Sequence, residues 1–253
     1  MSVSNANVNL HSHSFDELLY CRSCRDVEYL VGSQRYRLQP GDIIMIPAGI
    51  SHRPLLPEVM AEPYSRDVIW TSQDFGKMLL EIFPNGDGLL TTDIRLLRTS
   101  GTRWEFLGEL FRRGIREAEK KRPGWEAAVL SNTTYLMVQL YRAIREQSGL
   151  ELKAEQPELL DRVMAYIEGN FHRHISLADT AKQFYVSEST VSQLFRQKLG
   201  VSFYRFVTQR RLITAKTLIE EGMLLEDVGR NVGFADYSAF YRSFRQEYGI
   251  SPR

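Results

Sequence analysis

Cysteine, charge of one sign and long apolar runs are what this 253-residue chain has least of. Two cysteines, Cys21 and Cys24, cannot build the framework of several bridges that stabilises small secreted domains. The chain is therefore expected to fold on a hydrophobic core in a reducing, cytoplasmic setting. Lys and Arg total 32 against 31 Asp and Glu, and the formal net charge of +1 excludes bulk attraction to nucleic acid or an anionic membrane. An anionic partner must be met by local patches. Apolar runs such as Ile43-Ile44-Met45-Ile46 fall far short of the roughly 18 residues of a spanning helix, and no charged-then-apolar leader opens the sequence. What is present, 43% hydrophobic and 25% charged residues, suits a soluble globular protein and excludes a disordered or fibrous one.

The first 70 residues read as strands and turns. Glu17–Tyr20 and Val27–Val31 are short and rich in β-formers, and Gly32-Ser33-Gln34 leads into Tyr36–Leu38 as a hairpin would. Pro40-Gly41-Asp42 is a turn signal before a buried-strand candidate, Ile43–Ile46, which Pro47-Ala48-Gly49 closes. Short strands without intervening helices predict a barrel or jelly roll.

After about Thr71 the apolar period changes from 2 to 3.6. Trp104, Leu107, Leu110, Phe111 and Ile115 mark one helix, ended by the charged stretch 116–122 and by Pro123-Gly124. A second helix spans about Trp125 to Gln147, so the two should form an antiparallel hairpin with apolar surface left for the barrel or for a second subunit. Gly149 to Pro157 is the best linker candidate.

From Glu158 onward the pattern is helical and contains an internal repeat. Leu194-Phe-Arg-Gln-Lys-Leu-Gly-Val-Ser202 recurs as Ser243-Phe-Arg-Gln-Glu-Tyr-Gly-Ile-Ser251 at an offset of 49, and Asp179-Thr-Ala181 recurs as Asp227-Val-Gly229 at an offset of 48. A unit of this length used twice is one supersecondary element. In the first copy a helix over 177–184, a break and a cap at Ser187 lead into a helix that buries Val191, Leu194, Phe195 and Leu199. Ser189, Thr190, Ser192, Gln193 and Arg196 then face outward. In the second copy a helix over 225–232, the turn Gly233-Phe234-Ala235 and a cap at Asp236 precede a helix that buries Phe240 and Phe244. Tyr237, Ser238, Tyr241, Arg242 and Arg245 face outward there. Small Ala181 and Gly229 stand where a first helix must approach a second closely, as in a helix-turn-helix. Short hydroxyl, amide and guanidinium side chains can read base edges in the major groove or grip phosphates, while a plain helical bundle with solvated faces would carry the same residue types. A continuous helix over about 203–221 could hold two readers on successive grooves, with Arg205, Arg210, Arg211 and Lys216 near the backbone or simply solvated.

Residues 158–253 resemble the double helix-turn-helix domain of AraC/XylS-type transcriptional regulators, including Arg210-Arg-Leu-Ile-Thr-Ala-Lys216, Val228-Gly-Arg-Asn-Val-Gly-Phe234 and 238–252. Gly229 and Asn231 stand where alanine is usual, Tyr185 where glycine is frequent, and Gln193 where arginine is frequent. The resemblance implies that Ser189, Gln193, Ser238 and Arg242 contact base edges. It also implies a small-molecule effector, a homodimer and contact with RNA polymerase.

His11-Ser-His13, Glu17, Gly41 to Pro47-Ala-Gly49 and His52 are similar to both halves of the cupin barrel motif. In cupin enzymes that resemblance makes His11, His13, Glu17 and His52 a metal site suited to a divalent transition metal, but the asparagine expected soon after His52 is absent. Without metal the same groups, with Tyr36 and beside Tyr20 or Arg53, are candidates to line an effector pocket. Cys21 and Cys24 alone could not complete a structural zinc site.

The expected protein is α+β with two domains. A cupin-like effector barrel (1–75), a helical hairpin that dimerises (76–150) and a linker (151–157) precede an all-α double helix-turn-helix that binds double-stranded DNA (158–253). It is read as a cytoplasmic activator without enzymatic activity, cofactor or membrane partner. A constitutive regulator with an inert barrel and a metal-dependent cupin enzyme are the alternatives.

Overall fold

A computed structural model describes residues 2–3, 10–13, 15–25, 27–57, 59–60, 62–84, 86, 94–147 and 157–253. The linker candidate lies outside these apart from Pro157. In the N-terminal half the described strands are β1 (Ser2–Val3), β2 (Asp16–Ser23), β3 (Glu28–Val31), β4 (Gln34–Arg37), β5 (Asp42–Ile46), β6 (His52–Leu55), β7 (Ser65–Thr71) and β8 (Arg95–Arg98). They form two antiparallel sheets, one ordered β1-β7-β2-β5-β8 and one ordered β4-β3-β6. Between β7 and β8 stands α1 (Gln73–Ile82), capped by Ser72 accepting from the Phe75 amide at 3.2 Å. Helices α2 (Leu107–Lys120) and α3 (Trp125–Gln147) follow.

Side chains alternate across a strand, and each sheet is covered on both faces. Leu19, Cys21, Ile44 and Ile46 of the larger sheet meet Tyr29, Val31 and Tyr36 of the smaller one between the two. Leu18, Tyr20, Ile43, Met45 and Leu97 point the other way, onto Leu107, Phe111, Leu136 and Leu140 of the α2–α3 hairpin. This double coverage explains the unbroken apolar run 43–46, where a half-exposed strand would alternate. The hairpin thus spends apolar surface on the sheet, with the Tyr20 and Phe111 rings stacked 5.5 Å apart. β8 joins β5 after the point where helical spacing begins, so strand and helix signals overlap along the chain.

The two cysteines form a local disulfide, Cys21–Cys24, with both residues buried. A register shift in the β2–β7 pair between Cys21 and Ser23 turns the chain so that both sulfurs reach the inter-sheet core. Two cysteines exclude a framework, but not a bridge across one bulge.

The C-terminal half is α4 (Leu159–Asn170), α5 (Leu177–Gln183), α6 (Glu188–Leu194), a π-helical extension of α6 (Phe195–Leu199), α7 (Phe203–Glu220), α8 (Leu225–Asn231) and α9 (Tyr237–Tyr248). Two cores hold it. Val163, Ile167, Ala181, Val191, Phe195 and Phe206 centre the first repeat, while Leu212, Val228, Phe240 and Phe244 centre the second. Polar caps start the helices where local chemistry predicts. Ser176, Ser187, Ser202 and Asp236 accept from the third amide beyond them at 3.0, 3.1, 3.2 and 2.7 Å. Among the described residues no helix is long and apolar enough to cross a membrane.

Candidate functional site

The repeat builds two helix-turn-helix units, α5–α6 and α8–α9, joined by α7. At 1.5 Å per residue, α7 is about 27 Å long. Close helix approach explains the small residues. Ala181 is buried, and a Cβ placed on Gly229 would stand 3.2 Å from Phe240, tighter than ordinary contact. Phe240 thus crowds position 229 more than ordinary contact, and alanine stands at the matching place in the first copy.

The second helix of each unit presents its outward set to solvent. Ser189, Gln193 and Arg196 of the first are exposed, with Thr190 and Ser192 half-buried. Tyr237, Ser238, Arg242 and Arg245 of the second are exposed, with Tyr241 half-buried. Ser189 and Thr190 also share hydrogen bonds with the capping Ser187 hydroxyl, at 2.7 and 2.8 Å, which orients them toward the start of the helix. Among the described residues Arg196, Arg242 and Arg245 have no carboxylate partner, so three cations stand ready for an anion.

The connecting-helix cations are used differently. Arg210 is buried against Glu168 at 2.5 Å and lies over the Phe171 ring. Arg211 donates to the backbone oxygens of Phe171 and Arg173 at 2.9 and 2.8 Å, closing α4 onto α7. Arg205 pairs with Glu247 and Lys216 with Glu220. Arg205, Arg210 and Arg211 tie α7 to neighbouring segments, Lys216 pairs within α7, and the candidate phosphate contacts fall to the reading helices.

At one end of the sandwich the chain brings together four of the residues that the sequence singled out. His11 and His52 exchange backbone hydrogen bonds (3.3 and 2.9 Å), and their rings lie 4.4 Å apart, with the His13 ring 4.9 Å from His52. Ring nitrogens of all three lie within 4.8 Å of one another. His13 Nδ1 faces the Phe15 carbonyl at 2.7 Å and His52 Nδ1 faces the Ile50 carbonyl at 2.9 Å, and both rings turn Nε2 toward Glu17. His13 Nε2 is 3.1 Å and His52 Nε2 3.7 Å from the Glu17 carboxylate. Burial alone would push the Glu17 carboxyl up, yet hydrogen bonds with His13 and Trp70 and the nearby His52 imidazole hold it well below the usual carboxylate range. The mouth therefore combines a buried carboxylate with three imidazoles. His11, His13 and His52 with Glu17 offer the donor set of a divalent transition metal, and the carbonyl bonds to Nδ1 are the kind of support that fixes metal-binding imidazoles.

Tyr36 stands apart from this group, on the inner face of β4 with its hydroxyl donating to Gln34. Tyr20 faces the α2–α3 hairpin, and Arg53 faces the C-terminal half. Residues not anticipated complete the mouth. Trp70 Nε1 donates to Glu17 at 2.9 Å, Phe15 stacks on His13 with centroids 3.9 Å apart, and Tyr29 lies 6.3 Å from His52. Tyr29 Oη, Glu17 Oε1 and His52 Nε2 are buried with no hydrogen-bond partner among the described residues. Nothing local marks Trp70. It reaches Glu17 because β7 pairs with β2 in the register Glu17↔Trp70.

Comparison with known proteins agrees with both halves. A helix-turn-helix domain family matches residues 180–253, and a cupin domain family matches residues 4–58. The chain is similar to the HTH-type transcriptional activator RhaS of Salmonella dublin, 25% identical over 248 residues that cover 96% of this chain and 85% of that one. RhaS of Salmonella arizonae is 28% identical over 136 residues, 53% of this chain and 49% of its own length, so that match spans about half of the relative. A solved transcriptional regulator from Chromobacterium violaceum, with an AraC-type DNA-binding domain, is 26% identical over 36% of this chain and 82% of its own, with a TM-score of 0.35.

Proposed function

The chain is a DNA-binding transcriptional regulator of the AraC type with a cupin-like N-terminal region, and from that premise we propose how its residues divide the work. Helices α6 and α9 enter successive major grooves, roughly 34 Å apart along one DNA face, at the two ends of α7. Ser189, Gln193, Ser238 and Arg242 read base edges, while Thr190, Ser192, Arg196, Tyr237, Tyr241 and Arg245 position the helices on sugars and phosphates. The observation that carries this reading is the pair of exposed helix faces whose arginines lack carboxylate partners among the described residues, in a domain where Arg205, Arg210 and Arg211 are engaged by neighbouring elements.

Control is assigned to the barrel mouth. A small effector is held by His11, His13, Glu17 and His52, with Tyr36 deeper on the inner face. Such a ligand couples to DNA only by binding two states of the protein with different affinity. A divalent metal, if used, would sit on the three imidazoles and Glu17 and offer a Lewis-acidic point to that ligand. The protein works as a cytoplasmic homodimer without enzymatic activity. Exposed Leu130 and Tyr135 of α3 give the α2–α3 hairpin the apolar surface for pairing, and bound DNA brings the dimer to RNA polymerase as an activator.

Selection of preferred sites from a random duplex pool by the full chain tests the DNA reading. Enriched paired motifs separated by about one helical turn, 10–10.5 base pairs, are expected. No enrichment over input would overturn it.

A further inference from the structure

The three-stranded sheet carries the barrel mouth on one face and the first reading unit on the other. Its register places Leu30 directly between Arg35 and Arg53, so the three form one row across β4, β3 and β6. Residues adjacent to a row member along a strand point to the opposite face. His52, beside Arg53, and Tyr29, beside Leu30, accordingly face inward.

The outer row grips the C-terminal half at both ends. Arg35 holds Asp161 of α4 through two parallel bonds, Nε at 2.9 Å and Nη2 at 3.0 Å, and also pairs with Glu158 at 3.1 Å. Leu30, fully buried, enters the core of the first helix-turn-helix beside Val163, Phe195 and Leu199. Arg53 Nη1 donates at 2.6 Å to the Leu199 carbonyl, a buried contact. Leu199 ends the π-helical extension of reading helix α6, where carbonyls lack intrahelical partners and the helix dipole favours a cation. The reading helix of the first unit is thus capped by an arginine from the barrel.

Both chain segments that supply mouth histidines run straight into this contact. Leu10, one residue before His11, is buried in the same core as Leu30, and Arg53 is one residue after His52. Segments 10–11 and 52–53 are bonded to each other through His11 and His52. The outward side chains of α6 stay accessible with the barrel docked, so the contact does not mask the reading face. It can act only by setting where α6 lies and how its last turn is wound.

We propose that the Arg35–Leu30–Arg53 row is a docking surface for the first helix-turn-helix, and that the His11–His13–His52 mouth controls the DNA geometry of α6, and not of α9, by shifting Leu10 and Arg53. This deepens the effector reading given above and rests on it for the identity of the mouth as the input. A π-helical turn is a strained winding that often marks a functional position. Here its terminal carbonyl is held by a residue adjacent to the mouth. The second unit packs on α7 through its own core and has no member in the docking row.

The test uses the full chain and its Arg53→Ala, Arg53→Lys and His11→Ala variants, read by amide hydrogen exchange over 196–202 and by footprinting on a duplex bearing the sites of both readers. Arg53→Ala should speed exchange at that turn and weaken protection under α6 by about fivefold or more, the low end of typical coupling between sites, with protection under α9 unchanged. Arg53→Lys, which keeps a cation, should fall between Arg53→Ala and the parent in both readouts and serves alone if Arg53→Ala does not fold. His11→Ala should shift exchange at the same turn, through the bonded segments 10–11 and 52–53. Unchanged exchange in Arg53→Ala, or equal loss of protection under both readers, overturns the docking surface. Unchanged exchange at 196–202 in His11→Ala overturns control by the mouth. A parent chain that binds no preferred DNA would defeat the reading of function, while the exchange arms would still decide the dock.

Discussion

Tyr185 and Gly233 occupy the same place in the two helix-turn-helix repeats, 48 residues apart, and both adopt left-handed backbone with φ of 56° and 91°. Their surroundings differ. Tyr185 is 96% exposed, whereas a Cβ on Gly233 would stand 2.7 Å from the Phe171 carbonyl oxygen at the end of α4. The first turn therefore tolerates a side chain at a conformational cost, and the second cannot accept one.

Opposite effects follow for the two turns. Tyr185→Gly should stabilise the chain by about 0.5–1 kcal/mol, because the left-handed penalty of about 1–2 kcal/mol outweighs the extra entropy glycine loses on folding. Gly233→Ala should destabilise it by about 2 kcal/mol or more, since strain and overpacking add. Urea unfolding of both variants checks the contrast, and equal effects would show that the turns are not differently packed.

Arg98 and Asp42 give a pH-dependent case. The Asp42 side chain is fully buried and accepts from Arg98 Nε and Nη2 at 3.0 and 3.1 Å, joining β5 to β8. Burial pushes the Asp42 carboxyl above its ordinary value even with Arg98 beside it. Arg98→Ala strands that buried charge and should cost about 3 kcal/mol at neutral pH. A carboxyl whose folded value is raised binds protons more readily in the folded state, so its destabilising contribution grows as pH rises through that value and fades below it. The deficit of Arg98→Ala should accordingly shrink as pH is lowered from neutral toward the ordinary carboxylate range. Thermal unfolding across that range would contradict the assignment if the deficit stayed constant.

At the barrel mouth, Glu17→Gln keeps shape and removes charge. Hydrogen bonds to a buried charged acceptor contribute about 1.5–3 kcal/mol, and a loss of that order is expected. Because Trp70 donates to Glu17, its indole should report the change as a shift in fluorescence emission. A variant as stable as the parent, with unaltered emission, would mean that the carboxylate is not held by His13, His52 and Trp70 in solution.

Much of the C-terminal half is legible from the sequence because its signals are local. Caps at Ser187 and Asp236, the buried stripe of Val191, Phe195, Phe240 and Phe244, and small Ala181 and Gly229 each act within a few residues or through a repeat. The three histidines and Glu17 are legible as a motif, and the fold gathers them. What the sequence leaves open depends on pairing between distant segments. The Trp70–Glu17 contact is fixed by strand register, the Cys21–Cys24 bridge by a bulge, and the docking of Arg35 and Arg53 by which face of a sheet meets α4 and α6. The basic character of Arg205, Arg210 and Arg211 suggests a DNA-facing helix until their carboxylate and carbonyl partners are known.

Competition binding tests whether α9 reads sequence through Arg242, as proposed. The parent chain and Arg242→Ala are compared on a selected site and on unrelated duplex, across a salt series. A bidentate arginine–guanine contact gives about 1–3 kcal/mol of discrimination, so Arg242→Ala should lose roughly ten- to hundredfold on the selected site and little on unrelated DNA. Equal weakening on both duplexes, tracking only the salt dependence of one lost cation, would show that Arg242 grips phosphate and would contradict the claim.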